Sequence, residues 1–79
     1  MSFYSDFAGH YESVFPVEEQ TYRFLLERTP PGAPVLDIGC GTGGHCGRFV
    51  RDGHDCLGVD IDTDMVAAAS VAFPGASFQ

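Results

Sequence analysis

The chain has 79 residues and a mass of 8.5 kDa, which is the size of one small domain and excludes a two-domain enzyme. Hydrophobic residues make up 44% and charged residues 19% of the sequence, as in folded proteins. Its net charge of −7 excludes direct nucleic-acid binding and disfavours an anionic membrane surface. Because the sequence shows no apolar run of about 20 residues and no secretory leader, we expect a cytoplasmic protein.

Residues 1–34 predict a helical segment that ends in a proline-rich linker. Aromatic side chains recur at every fourth position and indicate one face of a helix, which Pro16 ends: Phe3, Phe7, Tyr11 and Phe15. A second helix begins at the acidic residues 18–19, with an apolar face formed by Tyr22, Leu25 and Leu26. The three prolines of residues 29–34 cannot continue this helix, so a new unit begins at residue 35.

Residues 35–79 begin with a strand and a glycine-rich loop. The run Val35–Ile38 predicts a buried strand, and it leads directly into Gly-Cys-Gly-Thr-Gly-Gly at 39–44. Apolar residues at positions i, i+3 and i+4 then predict a helix that Gly53 ends: Cys46, Phe49 and Val50.

The next segment predicts a second strand over 56–60, followed by a helix with Asp62 at its N-cap. Residues 76–79 begin a third strand. Alternating strands and helices predict a parallel α/β sheet, for which two or three strands are too few. We therefore expect the N-terminal part of a larger domain, whose open sheet edge pairs with further chain or with a second copy.

The three cysteines, at positions 40, 46 and 56, are interpreted as buried apolar thiols. Their number is odd, which argues against a disulfide framework. None of them forms the C-x₂-C pair of a zinc site, so no metal is predicted.

The glycine loop predicts a ligand site. The chain contains no lysine, which excludes a mononucleotide P-loop. A dinucleotide fingerprint fits, since Gly39-x-Gly41-x-x-Gly44 precedes Asp60 by about 20 residues. Asp37 stands two residues before the loop, however, and two like charges about 5 Å apart repel by about 3 kcal/mol at an effective dielectric constant near 20. Asp37 therefore favours a cationic ligand such as S-adenosylmethionine, unless its carboxylate caps the amides of the loop itself.

The segment Val35–Gly43 (VLDIGCGTG) closely resembles the first motif of class I S-adenosylmethionine-dependent methyltransferases, and Gly58–Asp62 (GVDID) resembles the second. The resemblance implies a Rossmann-like methyltransferase fold, incomplete here, with N-terminal helices and the first βαβ unit. It also implies that S-adenosylmethionine is the cofactor. The resemblance implies that the methionine part of the cofactor is held by Asp37 and by the loop residues Gly39, Cys40, Gly41 and Gly43. It implies that Asp60 binds the ribose hydroxyls and that Ile61 and Met65 lie near the adenine.

The methyl acceptor and the catalytic residues are not defined by these 79 residues, which we expect to be inactive alone. His45 either contacts the cofactor carboxylate or is an exposed residue of a first helical turn. Two other functions stay open at this point: a nicotinamide-dinucleotide-binding Rossmann fragment, and a non-catalytic module that pairs through its open sheet edge.

Overall fold

The computed structural model describes residues 19–79, and the aromatic helix predicted before Pro16 lies outside the described residues. Helices and strands alternate along the described chain in the predicted order. They are α1 (Glu19–Glu27), β1 (Val35–Ile38), α2 (Gly44–Arg51), β2 (Cys56–Val59), α3 (Thr63–Ala72) and β3 (Ser77–Phe78). None of the described helices is long and apolar enough to cross a bilayer.

The three described strands form a parallel sheet in the order β1-β2-β3. Val35 lies opposite Cys56, and Ile38 lies opposite Val59, so β1 and β2 end at the same edge. Beyond β1, the amides of Gly39 and Cys40 both donate to the Val59 carbonyl, at 2.8 and 2.9 Å. The glycine loop is thereby attached to the carboxyl end of β2, the edge at which open α/β sheets bind ligands.

Glycines mark both ends of α2. Gly43 is its N-cap, with φ of +87°, a conformation that glycine adopts without a Cβ penalty. At the other end Gly53 has φ of +94°, and the amide of His54 donates to the Phe49 carbonyl at 2.9 Å. The prediction that Gly53 ends this helix is confirmed.

The core lies between α1, α2 and the sheet. Its four buried members are Tyr22, Cys46, Phe49 and Cys56. The free thiols of Cys40, Cys46 and Cys56 are all buried, as predicted. Burial raises the pKa of each of these thiols, as expected for apolar thiols in a core.

Tyr22 connects α1 to the end of α2. Its hydroxyl donates to Asp52 Oδ2 at 2.6 Å, and its ring packs edge-on against Phe49 with 5.1 Å between centroids. Burial, with the hydrogen bond to Asp52, raises the pKa of Tyr22 to about 12. The apolar face of α1 is narrower than predicted, because Leu25 is 39% exposed while Tyr22 is 1% exposed.

The prediction that β1 is buried is wrong for one of its faces. Leu36 is 59% exposed and Ile38 is 78% exposed, whereas Val35 packs against the core. Successive residues of a strand point to opposite faces, and no described residue covers the face that carries Leu36 and Ile38. A run of apolar residues does not distinguish a strand that is covered on one face from a strand that is covered on both faces.

Candidate functional site

Three glycines give the loop its path at the carboxyl ends of β1 and β2. Gly39, Gly41 and Gly43 have φ of +76°, +57° and +87°, all in the left-handed region. The Gly43 amide donates to the Cys40 carbonyl at 3.0 Å and closes a turn between them. The loop therefore needs glycine at these positions for its backbone conformation alone.

The two ends of this loop have different surroundings. A Cβ added at Gly39 would meet no heavy atom within 4 Å. A Cβ added at Gly43 would lie 2.7 Å from Phe78 Cζ and 3.1 Å from the Cβ of Ala69. Gly39 thus faces open space, where a ligand can approach the backbone, and Gly43 lies in the packing between the loop, β3 and α3.

Asp60 ties the loop to the end of β2. Its Oδ2 accepts a hydrogen bond from the Gly41 amide at 2.9 Å, and its Oδ1 accepts from the Asp62 amide at 2.8 Å. A carboxylate has about four lone-pair sites, so about two acceptor sites remain. Asp60 is therefore held rigidly and still has capacity to accept hydrogen bonds from a ligand.

Asp37 is the contrasting carboxylate. It is half buried at the end of β1, and no described residue donates a hydrogen bond to it. Burial raises its pKa, as does the negative charge of Asp60, while His45 opposes both effects. The loop amide that Asp37 could have capped is bonded to Asp60 instead. A partly buried carboxylate without a donor is a site that a cationic group stabilises.

An open cleft of about 490 Å³ lies beside Asp60 at the carboxyl ends of β1 and β2. Its lining is mostly apolar and comes from both strand ends: Ile38, Gly39, Val59, Asp60 and Ile61. The volume is in the range of about 300–1,000 Å³ that small-molecule sites occupy. Ile61 is fully exposed and presents an apolar side chain to any group that enters.

Two further predicted site residues, Cys40 in the loop and Met65 in α3, are buried. Cys40 and Met65 are each 8% exposed, and Cys40 Sγ donates to the Gly41 carbonyl at 3.5 Å. Burial raises the pKa of Cys40 to about 11, so it is a neutral thiol rather than a reactive one. Asp62 accepts from the Asp64 amide at 2.9 Å, which confirms it as the N-cap of α3.

His45 is the site residue whose surroundings the sequence left undecided. Its Nε2 is buried and has no hydrogen-bond partner among the described residues, so the interpretation as an exposed first-turn residue is wrong for this atom. Its ring stacks on Tyr22 with 6.5 Å between centroids. This contact joins residues far apart in the chain, and no local pattern signals it. Within residues 19–79, no group of three His, Cys, Asp or Glu side chains could hold a metal ion.

The arrangement suits a ligand with a cationic end, hydroxyl donors and an apolar portion, and comparisons with known proteins agree. The family model described as a methyltransferase domain matches residues 35–79. The dTDP-3-amino-3,4,6-trideoxy-alpha-D-glucopyranose N,N-dimethyltransferase of Streptomyces venezuelae is 36% identical over 53 residues, which are 67% of this chain and 22% of that enzyme.

Solved structures show the same relationship. A TehB-like S-adenosylmethionine-dependent methyltransferase from Corynebacterium glutamicum matches with a TM-score of 0.82 and 29% identity, over 96% of this chain and 43% of that one. A phosphoethanolamine N-methyltransferase 2 of Haemonchus contortus, in complex with phosphomonomethylethanolamine and S-adenosylhomocysteine, matches with a TM-score of 0.70 and 25% identity, over 94% of this chain and 21% of that one.

The chain spans less than half the length of each of these relatives. The prediction of a Rossmann-like methyltransferase fold is confirmed by the structural matches and by the parallel sheet. Because the matched family model covers more than half of its residues, the chain belongs to the class I S-adenosylmethionine-dependent methyltransferase family.

Proposed function

We propose that this chain is the cofactor-binding portion of a methyltransferase and holds S-adenosylmethionine at the carboxyl ends of β1 and β2. The observation that carries the proposal is the Asp37 carboxylate, which is half buried, has no donor among residues 19–79 and lies just before the open backbone of Gly39. The α-amino group of the cofactor supplies the positive charge that this position lacks.

Each part of the cofactor has a counterpart in the described residues. Asp37 binds the amino group, and the open side of Gly39 lets the methionine part approach the backbone. The two acceptor sites left on Asp60 receive the ribose hydroxyls. Ile61 offers apolar surface to the adenine, and Met65 supports it from the first turn of α3. Cys40, Gly41 and Gly43 shape the loop.

When bound, the cofactor supplies a methyl group on a positively charged sulfur. The contribution of this chain is to orient that group, because methyl transfer depends on alignment with the acceptor. The acceptor stays open, since the chain spans only 22% of the Streptomyces relative and 43% of the Corynebacterium one.

A nicotinamide dinucleotide fits this site less well. Its pyrophosphate would lie against Asp37 and Asp60, where like charges repel. Arg48 lies four residues after the loop, but its guanidinium already bonds the Gly44 carbonyl at 3.1 Å and the Glu19 carboxylate at 3.2 Å, so it is not free to bind a phosphate. The charges around the loop therefore favour a cationic ligand over an anionic one.

Isothermal titration calorimetry with S-adenosylhomocysteine and with NADH tests the proposal. We expect binding of S-adenosylhomocysteine and no response to NADH, and the reverse pattern would contradict the proposal. Asp37→Asn should weaken binding. Asp55→Asn is the matched control, because Asp55 is an exposed aspartate at the opposite, amino end of β2 and its removal changes the charge equally.

The outer edge of β1 provides a site for further strands. In the described sheet β1 has one neighbour, β2, so the backbone groups on its other side are unpaired. We propose that this edge pairs with more of the same domain or with a second copy. Sedimentation of the 79-residue chain tests the second case, since a stable monomer contradicts self-pairing. The cytoplasmic location stays a prediction, which cell fractionation tests.

A further inference from the structure

Two of the three cysteines lie against each other in the core, on different elements. Cys46 in α2 is 0% exposed, and Cys56 at the start of β2 is 6% exposed. The Cys56 thiol donates a hydrogen bond to the Cys46 sulfur, with 2.7 Å between the two Sγ atoms. Cys40, the third cysteine, donates to the Gly41 carbonyl at 3.5 Å instead. The fold therefore pairs two thiols and leaves the third outside the pair.

The contact between the two thiols is close to the geometry of a disulfide. The sulfurs of a disulfide are about 2.05 Å apart, so this pair has to approach by about 0.7 Å. A displacement of about 0.5–0.9 Å is ordinary thermal motion for atoms in a folded protein. The chain turns at Gly53 between α2 and β2, and Cys56 stays opposite Val35 in the sheet. A bond between the two sulfurs is therefore compatible with the observed fold.

Solvent reaches the pair from the side of Cys56. This residue lines an open cleft of about 320 Å³ at the amino ends of the strands, together with Pro34, Asp55 and Gly75. The cleft admits a molecule as small as hydrogen peroxide, whereas Cys46 has no exposed surface. Cys56 is therefore the member of the pair that a small oxidant meets first.

The ionisation of the two thiols indicates the same order. Burial raises the pKa of both, but the hydrogen bond between them lowers the pKa of Cys56 and raises that of Cys46. Cys56 therefore loses its proton more readily, and the thiolate is the reactive form of cysteine. Access and ionisation both assign the first reaction to Cys56.

We propose that Cys46 and Cys56 are a redox pair, which a hydroperoxide such as hydrogen peroxide converts into a disulfide joining α2 to β2. The Cys56 thiolate attacks one peroxide oxygen and breaks the O–O bond; the hydroxide that leaves takes up the proton lost by Cys56, and Cys56 becomes a sulfenic acid. The Cys46 sulfur then attacks the Cys56 sulfur and displaces hydroxide, which leaves as water with the Cys46 proton. The sulfurs lose two electrons, and the peroxide is reduced to two waters. A dithiol reverses the bond by exchange.

Mass spectrometry of the peroxide-treated 79-residue chain tests the proposal, after unfolding in the presence of N-ethylmaleimide. We expect, as the main product, a monomer that has lost two hydrogen atoms, carries maleimide on Cys40 alone, and gives fragments linking Cys46 to Cys56. Dithiothreitol should restore maleimide labelling of all three cysteines. Full labelling after peroxide, a bond that includes Cys40, or a bond between two chains would overturn the proposal.

The same treatment in urea separates the effect of the fold from that of the sequence. Cys40 is nearer to Cys46 in the chain than Cys56 is, and a shorter separation is easier to close in an unfolded chain. We expect the bond between Cys40 and Cys46 to predominate in urea and the bond between Cys46 and Cys56 to predominate in buffer. The same distribution of bonds in both solvents would contradict pairing by the fold.

Single variants make the assignment specific. Cys56→Ala should abolish the intramolecular bond, and the matched control Cys40→Ala, which also removes one buried thiol, should retain it. Loss of the bond in Cys40→Ala would overturn the proposal. The fragments of the wild-type chain identify the pair even if a variant does not fold.

The rate and the stability of the product give two further readouts. Below the raised pKa of Cys56, the rate of bond formation should rise about tenfold per pH unit, because the thiolate is the nucleophile. The melting temperature, followed by circular dichroism, should rise by roughly 5–15 °C in the oxidised chain and return with dithiothreitol, because the bond restricts the unfolded chain. A rate that does not change with pH, or a lower melting temperature after oxidation, would overturn the proposal.

Discussion

The glycine loop has two sides that differ in what they contact. Its packed side consists of the buried Cys40 and of Gly43, where an added Cβ would meet Ala69 and Phe78. Its open side consists of Asp37, Gly39 and Ile61, which have open space, exposed surface or no hydrogen-bond donor among the described residues.

Asp60 joins the two sides, because it bonds the loop backbone and also lines the cleft. The comparison teaches that a motif matched letter by letter contains residues in two different surroundings, some packed and some open. Substitutions on the packed side should lower the stability of the fold, and those on the open side should lower ligand affinity.

Gly43→Ala should have the largest effect, on stability. The new Cβ would meet the Phe78 ring at 2.7 Å, and alanine disfavours a φ of +87°. The left-handed backbone costs about 1–2 kcal/mol and overpacking about 1–3 kcal/mol, so the free energy of unfolding should fall by about 2–5 kcal/mol. Urea unfolding followed by circular dichroism measures it. A loss below about 0.5 kcal/mol would show that Gly43 is not packed as described.

Asp60→Ala should affect both stability and binding. The variant removes two part-buried hydrogen bonds from backbone amides to a carboxylate, which at about 0.5–1.5 kcal/mol each contribute about 1–3 kcal/mol to the free energy of unfolding. Binding of S-adenosylhomocysteine should be abolished as well. Thermal unfolding and calorimetry on the same preparation check both effects. Normal affinity in a destabilised variant would remove Asp60 from the ligand site.

Asp37→Asn should affect ligand affinity and stability in opposite directions. Affinity for S-adenosylhomocysteine should fall about tenfold, because a charged partner of the amino group is lost. Its effect on stability has the opposite sign. Since the pKa of Asp37 is raised above its ordinary value of 3.8, ionised Asp37 destabilises the folded state. That destabilisation is absent below the ordinary pKa and grows as the pH rises through the raised one.

The variant should therefore melt at a higher temperature than wild type at neutral pH, and the difference should disappear as the pH falls below the ordinary pKa of 3.8. Melting temperatures measured by differential scanning fluorimetry from acid to neutral pH check this. A variant that is less stable than wild type at neutral pH would mean that Asp37 has a stabilising partner in the fold.

Gly39→Ala should have the smallest effect on stability. Its Cβ would meet nothing within 4 Å, so only the left-handed backbone contributes, at about 1 kcal/mol. Affinity for S-adenosylhomocysteine should nevertheless fall, because the methyl group projects into the open space beside the loop. The pair Gly39→Ala and Gly43→Ala is a direct comparison of the two sides. Equal losses of stability in the two variants would contradict the distinction between a packed side and an open side of the loop.

Local patterns were sufficient to predict the elements. The strands at 35–38 and 56–59 agree with prediction to within one residue, and so does the helix that buries Cys46 and Phe49. The N-cap role of Asp62 followed from composition alone. These features depend on residues close in the chain, which periodicity and capping preferences describe well.

Contacts between distant residues could not be predicted in this way. The bond from Gly41 to Asp60, the packing of Phe78 on Gly43 and the stacking of Tyr22 on His45 each join separate elements. The exposure of Leu36 and Ile38 could not be predicted for the same reason, since it depends on whether distant parts of the chain cover the face of β1 that carries these two residues. The site residues were therefore predicted as a set, and their division into packed and open sides required the structure.

The most direct test of this account is an NMR titration of the ¹⁵N-labelled chain with S-adenosylhomocysteine. Amide shifts should concentrate on the open side and on Asp60, at the carboxyl ends of β1 and β2, and should be small at the amino ends of the strands, around Val35 and Cys56. Shifts centred away from the loop, or no shifts at saturating ligand, would contradict the claim that this chain holds the cofactor.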